Sequence, residues 1–327
     1  MTTEIPSVDL EEWLAADAGE RADLLRPVDA ALRETGMFLL TGHGVPRARG
    51  EDFRQAGLSF FRLPRQAKLG YEIQWQYDNG WREVHRNVGI PAAAADDTSA
   101  PDLHESFYAG PTHRTGDTRF DELFYPANRW PAELPQLRAT AEAYTGHMVR
   151  VAEQVNRMFA ELLGQPADFF TSRARRATWT QNVSWYPSLT RLGQPGTGRM
   201  RNAPHTDLGT FTLLNRQPGK GGLEVWNEAD GWFAPAYPMD SDTLIVILGD
   251  LMELWTDGRW RALRHRVPAP GADAPDEEQV SLVFFFEADP DALIEPLAAP
   301  AGGGLGLAPA VAGESILGKL GVPLTPA

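Results

Sequence analysis

Read by the alternation of apolar and polar positions, the chain falls into a helix-rich first half and a strand-rich second half. Residues 5–10, I-P-S-V-D-L, predict a short strand. Between Glu20 and Glu34 the apolar positions Leu24, Leu25, Val28, Ala31 and Leu32 recur at helical spacing, and Gly36 is placed to end that helix. M-F-L-L-T at 37–41 is a continuous apolar run and predicts a buried strand leading into the turn G-H-G-V-P. Around Ser59 to Gly70, F-F-R-L-P-R-Q-A-K-L-G predicts the end of one helix and the start of the next. From Glu72 to Pro131 the pattern is irregular and rich in Trp, Asn, Gly and Pro, so long loops with short strands such as E-S-F-Y-A-G are expected. Loops of that length in a compact domain usually cover something.

The strongest period follows Pro135. Leu137, Ala141, Tyr144, Met148, Val151, Val155, Met158 and Leu162 step alternately by four and three, which predicts one long amphipathic helix over about 135–163, ending at Gly164. At about 1.5 Å per residue it spans roughly 40 Å, long enough to back a whole sheet. His147 lies beside its apolar stripe and is expected to pack rather than to ligate. From Thr178 onward short strands dominate: T-W-T-Q-N-V-S-W-Y, F-T-L-L-N, L-E-V-W, T-L-I-V-I-L, A-L-R-H-R-V and V-S-L-V-F-F-F, separated by Gly, Asp and Pro turns. That spacing predicts a β-sandwich or barrel with flanking helices, hence an α+β, mainly β protein. The tail from Pro300, A-G-G-G-L-G-L-A-P-A-V-A-G, carries neither period and is expected to be a mobile segment over 300–327, a candidate lid.

Composition narrows the chemistry. The 327 residues are 43% hydrophobic, ample for a buried core, and the formal charge is −14 with no basic run. Nucleic-acid backbones and anionic membranes bind through clustered Lys and Arg, so neither is an expected partner. There are no cysteines, so disulfides, thiolate zinc sites, iron–sulfur clusters and cysteine nucleophiles are excluded, and any metal must be held by N and O ligands. No apolar stretch suits a membrane span, and the acidic N-terminus does not read as a signal peptide, so a cytoplasmic protein acting on a small molecule is expected.

Chemistry concentrates in R-N-A-P-H-T-D-L-G-T-F-T-L-L, residues 201–214. If 203–214 is extended, His205 and Asp207, two apart, share one face and make half a metal site. The best third ligand is His265 in W-R-A-L-R-H-R-V. Two histidines and a carboxylate on one face of an octahedral ion form the facial triad of non-haem Fe(II) oxygenases. An isolated His-x-Asp is also compatible with a surface turn, but only seven histidines are available, and His113 and His147 lack a carboxylate two residues away. The competing cluster Asp102-Leu103-His104-Glu105 follows an alanine-rich polar stretch and ranks below it. Arg264 and Arg266 flank His265 and should point away from the metal. Arg201 shares the parity of His205 and could face inward. Trp185, Phe211 and Phe285 could line a pocket, though aromatics in strands are more often core.

The motifs resemble a family over nearly the full length. I-P-S-V-D-L, G-M-F-L-L-T-G-H-G-V, F-F-R-L-P, P-A-N-R-W-P, P-H-T-D-L-G-T-F-T-L-L, G-G-L-E-V-W, L-G-D-L-M-E-L-W-T-D-G-R-W and H-R-V occur in the order found in the isopenicillin N synthase-like group of Fe(II)- and 2-oxoglutarate-dependent oxygenases. The resemblance implies a single oxygenase domain over 1–327: an N-terminal helix and strand region over 1–135 and a double-stranded β-helix (jelly roll) core over 178–290. It implies Fe(II) on His205, Asp207 and His265, with 2-oxoglutarate and O2 as co-substrates. Tyr186 matches a tyrosine that hydrogen-bonds a carboxylate of the co-substrate or substrate, and Ser281 matches the serine of the family's Arg-x-Ser pair. Where that pair has arginine, this chain reads Gln279-Val280-Ser281. The distal carboxylate of 2-oxoglutarate would then lose its charged partner and be held differently, with Arg201 a candidate substitute. The leading expectation is a 2-oxoglutarate-dependent oxygenase that hydroxylates, desaturates or cyclises a small metabolite. Alternatives are a 2-oxoglutarate-independent Fe(II) oxidase resembling isopenicillin N synthase, a non-catalytic jelly-roll binding protein, and a zinc hydrolase, for which no general base is evident.

Overall fold

The computed structural model describes residues 5–74, 77–84, 102–193, 200–238 and 242–322. In chain order the first half holds β1 (Ser7–Asp9), α1 (Leu10–Ala15), α2 (Ala18–Glu34), β2 (Met37–Thr41), α3 (Arg47–Phe61), α4 (Arg65–Lys68), β3 (Gly80–Arg82), β4 (Glu105–Ala109), α5 (Thr118–Phe124) and α6 (Pro135–Leu162). The second half holds β5 (Trp179–Tyr186), β6 (Met200–His205), β7 (Phe211–Asn215), β8 (Glu224–Asn227), β9 (Gly231–Phe233), β10 (Leu244–Leu248), α7 (Asp250–Trp255), β11 (His265–Pro268) and β12 (Gln279–Phe286). It ends with β13 (Leu293–Ile294), β14 (Ala310–Val311) and α8 (Ala312–Lys319).

Local chemistry sets the helix ends. Asp17 caps α2 by accepting from the backbone N–H groups of Gly19 and Glu20, while the Glu20 carboxylate accepts from Asp17 N, a reciprocal box. Gly36, with φ of 79°, lets the chain leave the helix and enter β2. Pro135 starts α6 at a position where its missing N–H costs nothing. That helix runs for 28 residues and buries the predicted stripe, Leu137 through Met158.

An eight-stranded sheet, ordered β1-β2-β10-β7-β12-β5-β4-β3, packs one face on α2, α3 and α6. Phe159 of α6 meets Phe38 of β2 and Phe211 of β7 edge to face, at 6.3 and 5.6 Å between centroids. The opposite face meets a four-stranded sheet, β6-β11-β8-β9. At one end the space between the sheets is filled by Met37, Leu39, Ile245 and Ile247 against Leu223, Val225 and Leu263. Strand alternation therefore divides each central strand: Phe211, Leu213, Val280, Leu282, Phe284 and Phe286 face the helices, and the residues between them face the second sheet. These two sheets are the expected jelly roll with flanking helices.

Two expectations are corrected. The stretch 203–214 is not one strand: β6 stops at His205 and β7 begins at Phe211. Thr210 turns the chain by donating from N and Oγ1 to Phe286 O, at 3.0 and 2.7 Å. The tail is structured in part. Residues 310–311 pair with 293–294, and α8 buries Ile316 and Leu317, with Leu320 buried just beyond it. The glycine-rich stretch before it is tied down where the Asp257 carboxylate accepts from Gly306 N and Leu307 N. Residues 323–327 and the alanine-rich stretch ahead of Asp102 lie outside the described residues. Among those described, no helix is long and apolar enough to cross a membrane.

Candidate active site

His205 ends β6, and its pairing partner across the sheet is His265, the first residue of β11. This register brings the two imidazoles to 4.2 Å between centroids, inclined at 53°. Asp207 reaches them from the turn after β6, not from a strand face. Its Oδ1 lies 3.6 Å from His205 Nε2 and 3.9 Å from His265 Nε2, and the three potential ligand atoms all fall within 4.8 Å of one another. The turn is held by Asp250 N donating to Asp207 O at 2.9 Å and by Thr212 Oγ1 donating to Asp207 Oδ2 at 2.5 Å.

Each histidine is oriented by a backbone carbonyl. His205 Nδ1 lies 2.8 Å from Ala203 O, and His265 Nδ1 lies 3.0 Å from Leu263 O. A carbonyl can only accept, so Nδ1 carries the proton in both rings and Nε2 presents a lone pair toward Asp207. Three acceptors converging in a buried site repel one another unless a cation lies between them, and this donor set suits a divalent transition ion. The charges fit. Burial pushes the Asp207 carboxyl up, yet the two imidazoles and Thr212 overcome that and hold it at about 2. Burial and the neighbouring His205 draw His265 down to about 4, against the pull of Asp207. Burial would also lower His205, but the adjacent Asp207 outweighs it and raises this imidazole above its ordinary value.

The three groups open onto a cavity of about 440 Å³, within the range of small-molecule sites. Its large-sheet wall consists of the cavity-facing alternates: Thr180, Asn182, Ser184 and Tyr186 of β5, Gln279, Ser281, Val283 and Phe285 of β12, and Thr212, Leu214 and Arg216 along and just past β7. Gln279 pairs with Tyr186 and Ser281 with Ser184 across β12 and β5. Burial pushes Tyr186 up to about 12, so its phenol stays protonated on this wall. Of the aromatic candidates, Phe285 lines the cavity, whereas Trp185 and Phe211 belong to the core on the helix side.

Arg201 is placed differently from expectation. It is fully buried and spent on protein partners: Nη1 donates to Glu277 Oε1 at 3.0 Å and to Gln279 Oε1 at 3.1 Å, and Nη2 donates to Glu277 O at 2.6 Å. It does not line the cavity. Arg264 and Arg266 stack on Trp232 of β9, at 5.6 and 4.3 Å, away from the His205, Asp207 and His265 cluster as expected.

Further polar groups line the wall. Asp102 and His104, read in the sequence as a rival cluster, join the same cavity: Ala203 N donates to Asp102 Oδ1 at 2.9 Å, and His104 Nδ1 donates to Arg201 O at 2.7 Å. Glu287, just past β12, is a buried carboxyl on the wall. Arg216 also lines it; the parity Thr212, Leu214, Arg216 was the available signal.

Two sequence profiles match in order: the N-terminal region of non-haem dioxygenases in morphine synthesis over residues 5–133, and the 2OG-Fe(II) oxygenase superfamily over residues 186–288. Validamycin A dioxygenase of Streptomyces hygroscopicus subsp. limoneus is 58% identical over 321 residues, covering 98% of this chain and 86% of that protein. A 2-oxoglutarate-dependent dioxygenase, frbA, of Dothideomycetidae sp. (strain 11243) is 28% identical, covering 91% of this chain and 90% of its own length. The crystal structure of a 2OG-Fe(II) oxygenase family protein from Caulobacter crescentus superposes with a TM-score of 0.80 at 23% identity, covering 98% of this chain and 99% of the other. A full-length Neurospora crassa protein crystallised in complex with alpha-KG also superposes with a TM-score of 0.80, at 22% identity, covering 97% of this chain and 96% of its own. The 2OG-Fe(II) oxygenase profile and the 58% identity to a dioxygenase favour the leading expectation over the oxidase, the pure binding protein and the zinc hydrolase. With both profiles matched in order and a dioxygenase so similar across nearly its whole length, this chain belongs to the 2OG-Fe(II) oxygenase superfamily and is a 2-oxoglutarate-dependent dioxygenase.

Proposed function

We propose that this dioxygenase oxidises validamycin A or a close chemical relative of it. The observation that carries the reading is the 58% identity to validamycin A dioxygenase over 98% of this chain. The cavity wall supports it. Asp102, Asp250, Asn202, Glu287, Arg82 and Tyr108 all line it, and these donors and acceptors suit a polar, hydroxyl-bearing molecule.

In this reading His205, Asp207 and His265 hold Fe(II). Fe(II), when bound, supplies the activation of O2 that couples decarboxylation of 2-oxoglutarate to oxidation of the substrate. The chain's own residues set the conditions. The carbonyls of Ala203 and Leu263 fix the imidazole tautomers, and Thr212 occupies one oxygen of Asp207 and leaves the other for the metal. Leu214, Leu223, Ile247, Val283 and Phe285 add an apolar portion to the cavity lining.

The test is incubation of the Fe(II)-loaded enzyme with 2-oxoglutarate, O2 and validamycin A, following succinate and product mass together. Succinate is expected in step with a product that has gained one oxygen or lost two hydrogens, and His265→Ala should make neither. If validamycin A leaves both succinate formation and its own mass unchanged with the active enzyme, the substrate assignment is wrong.

A further inference from the structure

The arginine that the family places two residues before Ser281 is absent, and Gln279 stands in its position. Arg201 can only donate, so the Gln279 oxygen that accepts from it at 3.1 Å is fixed, and the amide NH2 must lie on the other side. That nitrogen is buried and has no hydrogen-bond partner among the described residues. A buried amide donor left unpaired is costly, and native structures usually supply it with an acceptor.

One strand away lies a cation that makes no ion pair among the described residues. β7 pairs with β12 so that Asn215 stands opposite Leu282, which carries Arg216 alongside Ser281 on the cavity side. The Arg216 guanidinium is half-buried. Its protein contacts are the ring of Tyr237, 5.2 Å away, and a long hydrogen bond of 3.4 Å from Nε to Gln217 O. Burial pulls it down from its ordinary value, against the weaker upward pull of Tyr237, Tyr186 and Glu277.

The loop over these groups is built to leave room for them. A Cβ on Gly219 would fall 1.8 Å from Gln279 Nε2, and one on Gly222 would fall 2.8 Å from the Arg216 guanidinium. Glu277 secures this loop by accepting from Lys220 N and from Gly221 N, and its own charge is answered by Arg201. The other cations on the cavity wall are engaged elsewhere: Lys319 with Asp250 at 2.6 Å, and Arg82 with His104 and the face of Tyr108.

We propose that Arg216, reaching in from the strand beside the usual one, binds the distal carboxylate of 2-oxoglutarate together with Gln279 Nε2 and Ser281. Arg201 is then a positioning residue: it turns the Gln279 amide so that its NH2 group is available to the carboxylate. The inference rests on 2-oxoglutarate being the co-substrate.

The test is anaerobic titration of the Fe(II)-loaded protein, following the visible charge-transfer band of the bound 2-oxo acid. 2-Oxoglutarate is compared with pyruvate, which has the same chelating end and no distal carboxylate. Arg216→Gln should weaken 2-oxoglutarate by about ten- to a hundred-fold and leave pyruvate within about two-fold. Arg216→Gln combined with Gln279→Arg should recover most of the loss. An unchanged pyruvate band shows that the variant is folded and still holds iron. If Arg216→Gln binds 2-oxoglutarate like the wild type, or if Arg82→Gln causes the selective loss instead, the assignment is overturned. Were the wild type to show no band with 2-oxoglutarate, the failure would lie with the co-substrate itself and not with Arg216.

Discussion

Glu287 is a carboxyl with two hydroxyl donors, Thr178 at 2.6 Å and Tyr77 at 3.1 Å, and no ion pair among the described residues. Burial drives it up to about 7 from 4.5; the two hydrogen bonds resist, and the charge of Asp207 adds to the rise. Its folded state therefore favours the proton. The stability this contributes is fully present below about pH 4.5 and is lost as pH rises through about 7, a swing of at most about 3 kcal/mol. For the metal-free protein, Glu287→Gln should lose less stability than the wild type between pH 5 and pH 8. Parallel melting curves of the two proteins over that range would show that Glu287 is already ionised in the fold. At this scale the candidate metal ligands were legible because His205 and Asp207 lie two residues apart and few histidines could complete them. Arg216 could have been reached by continuing the alternation of Thr212 and Leu214 past the strand end. Arg201 could not be settled, because its fate depends on Glu277, which arrives from a turn before β12 that no local pattern ties to β6.

The element that sequence periodicity defines best, α6, also anchors the helix-side core. Phe159 is fully buried there and touches Phe38, Phe170, Phe211 and Trp260, joining the helix to both β2 and β7. Phe159→Ala should cost about 3–5 kcal/mol in urea unfolding, since its aromatic neighbours cannot all collapse into the space left. A loss below about 1 kcal/mol would mean that the site repacks and that α6 is not held by this contact. Elements specified by tertiary partners were less legible. α8 offers barely two turns of apolar spacing after a glycine-rich approach, and only its docking makes Ile316, Leu317 and Leu320 a face. The break between β6 and β7 is likewise invisible locally, because Thr210 makes it by bonding to Phe286, far along the chain.

Over the whole molecule, the large sheet interleaves distant parts of the chain: β2 from the first half lies between β1 and β10, and β4 continues the sheet from β5. The second half alone supplies β10-β7-β12-β5 of the large sheet and all four strands of the small one, and the first half extends the large sheet at both edges. The pairing of His205 with His265 belongs to this long-range wiring and carries a bulge, since two residues of β11 oppose three of β6 beside it. Closing such a pair comes after loop-closure entropy has been overcome, so it belongs late in folding. Refolding with Co(II) present, the cobalt–ligand absorption should rise together with the final recovery of native fluorescence from the ten tryptophans. Absorption that rises ahead of the fluorescence would mean that the ligands meet in a collapsed, unpaired state. A slip of one residue between β6 and β11 would turn one imidazole to the opposite face of the sheet. For the proposed iron site, ion capture is thus a register check: a chain threaded one position out of step has a sheet but no converging pair of imidazoles, and metal content alone distinguishes it from the native chain.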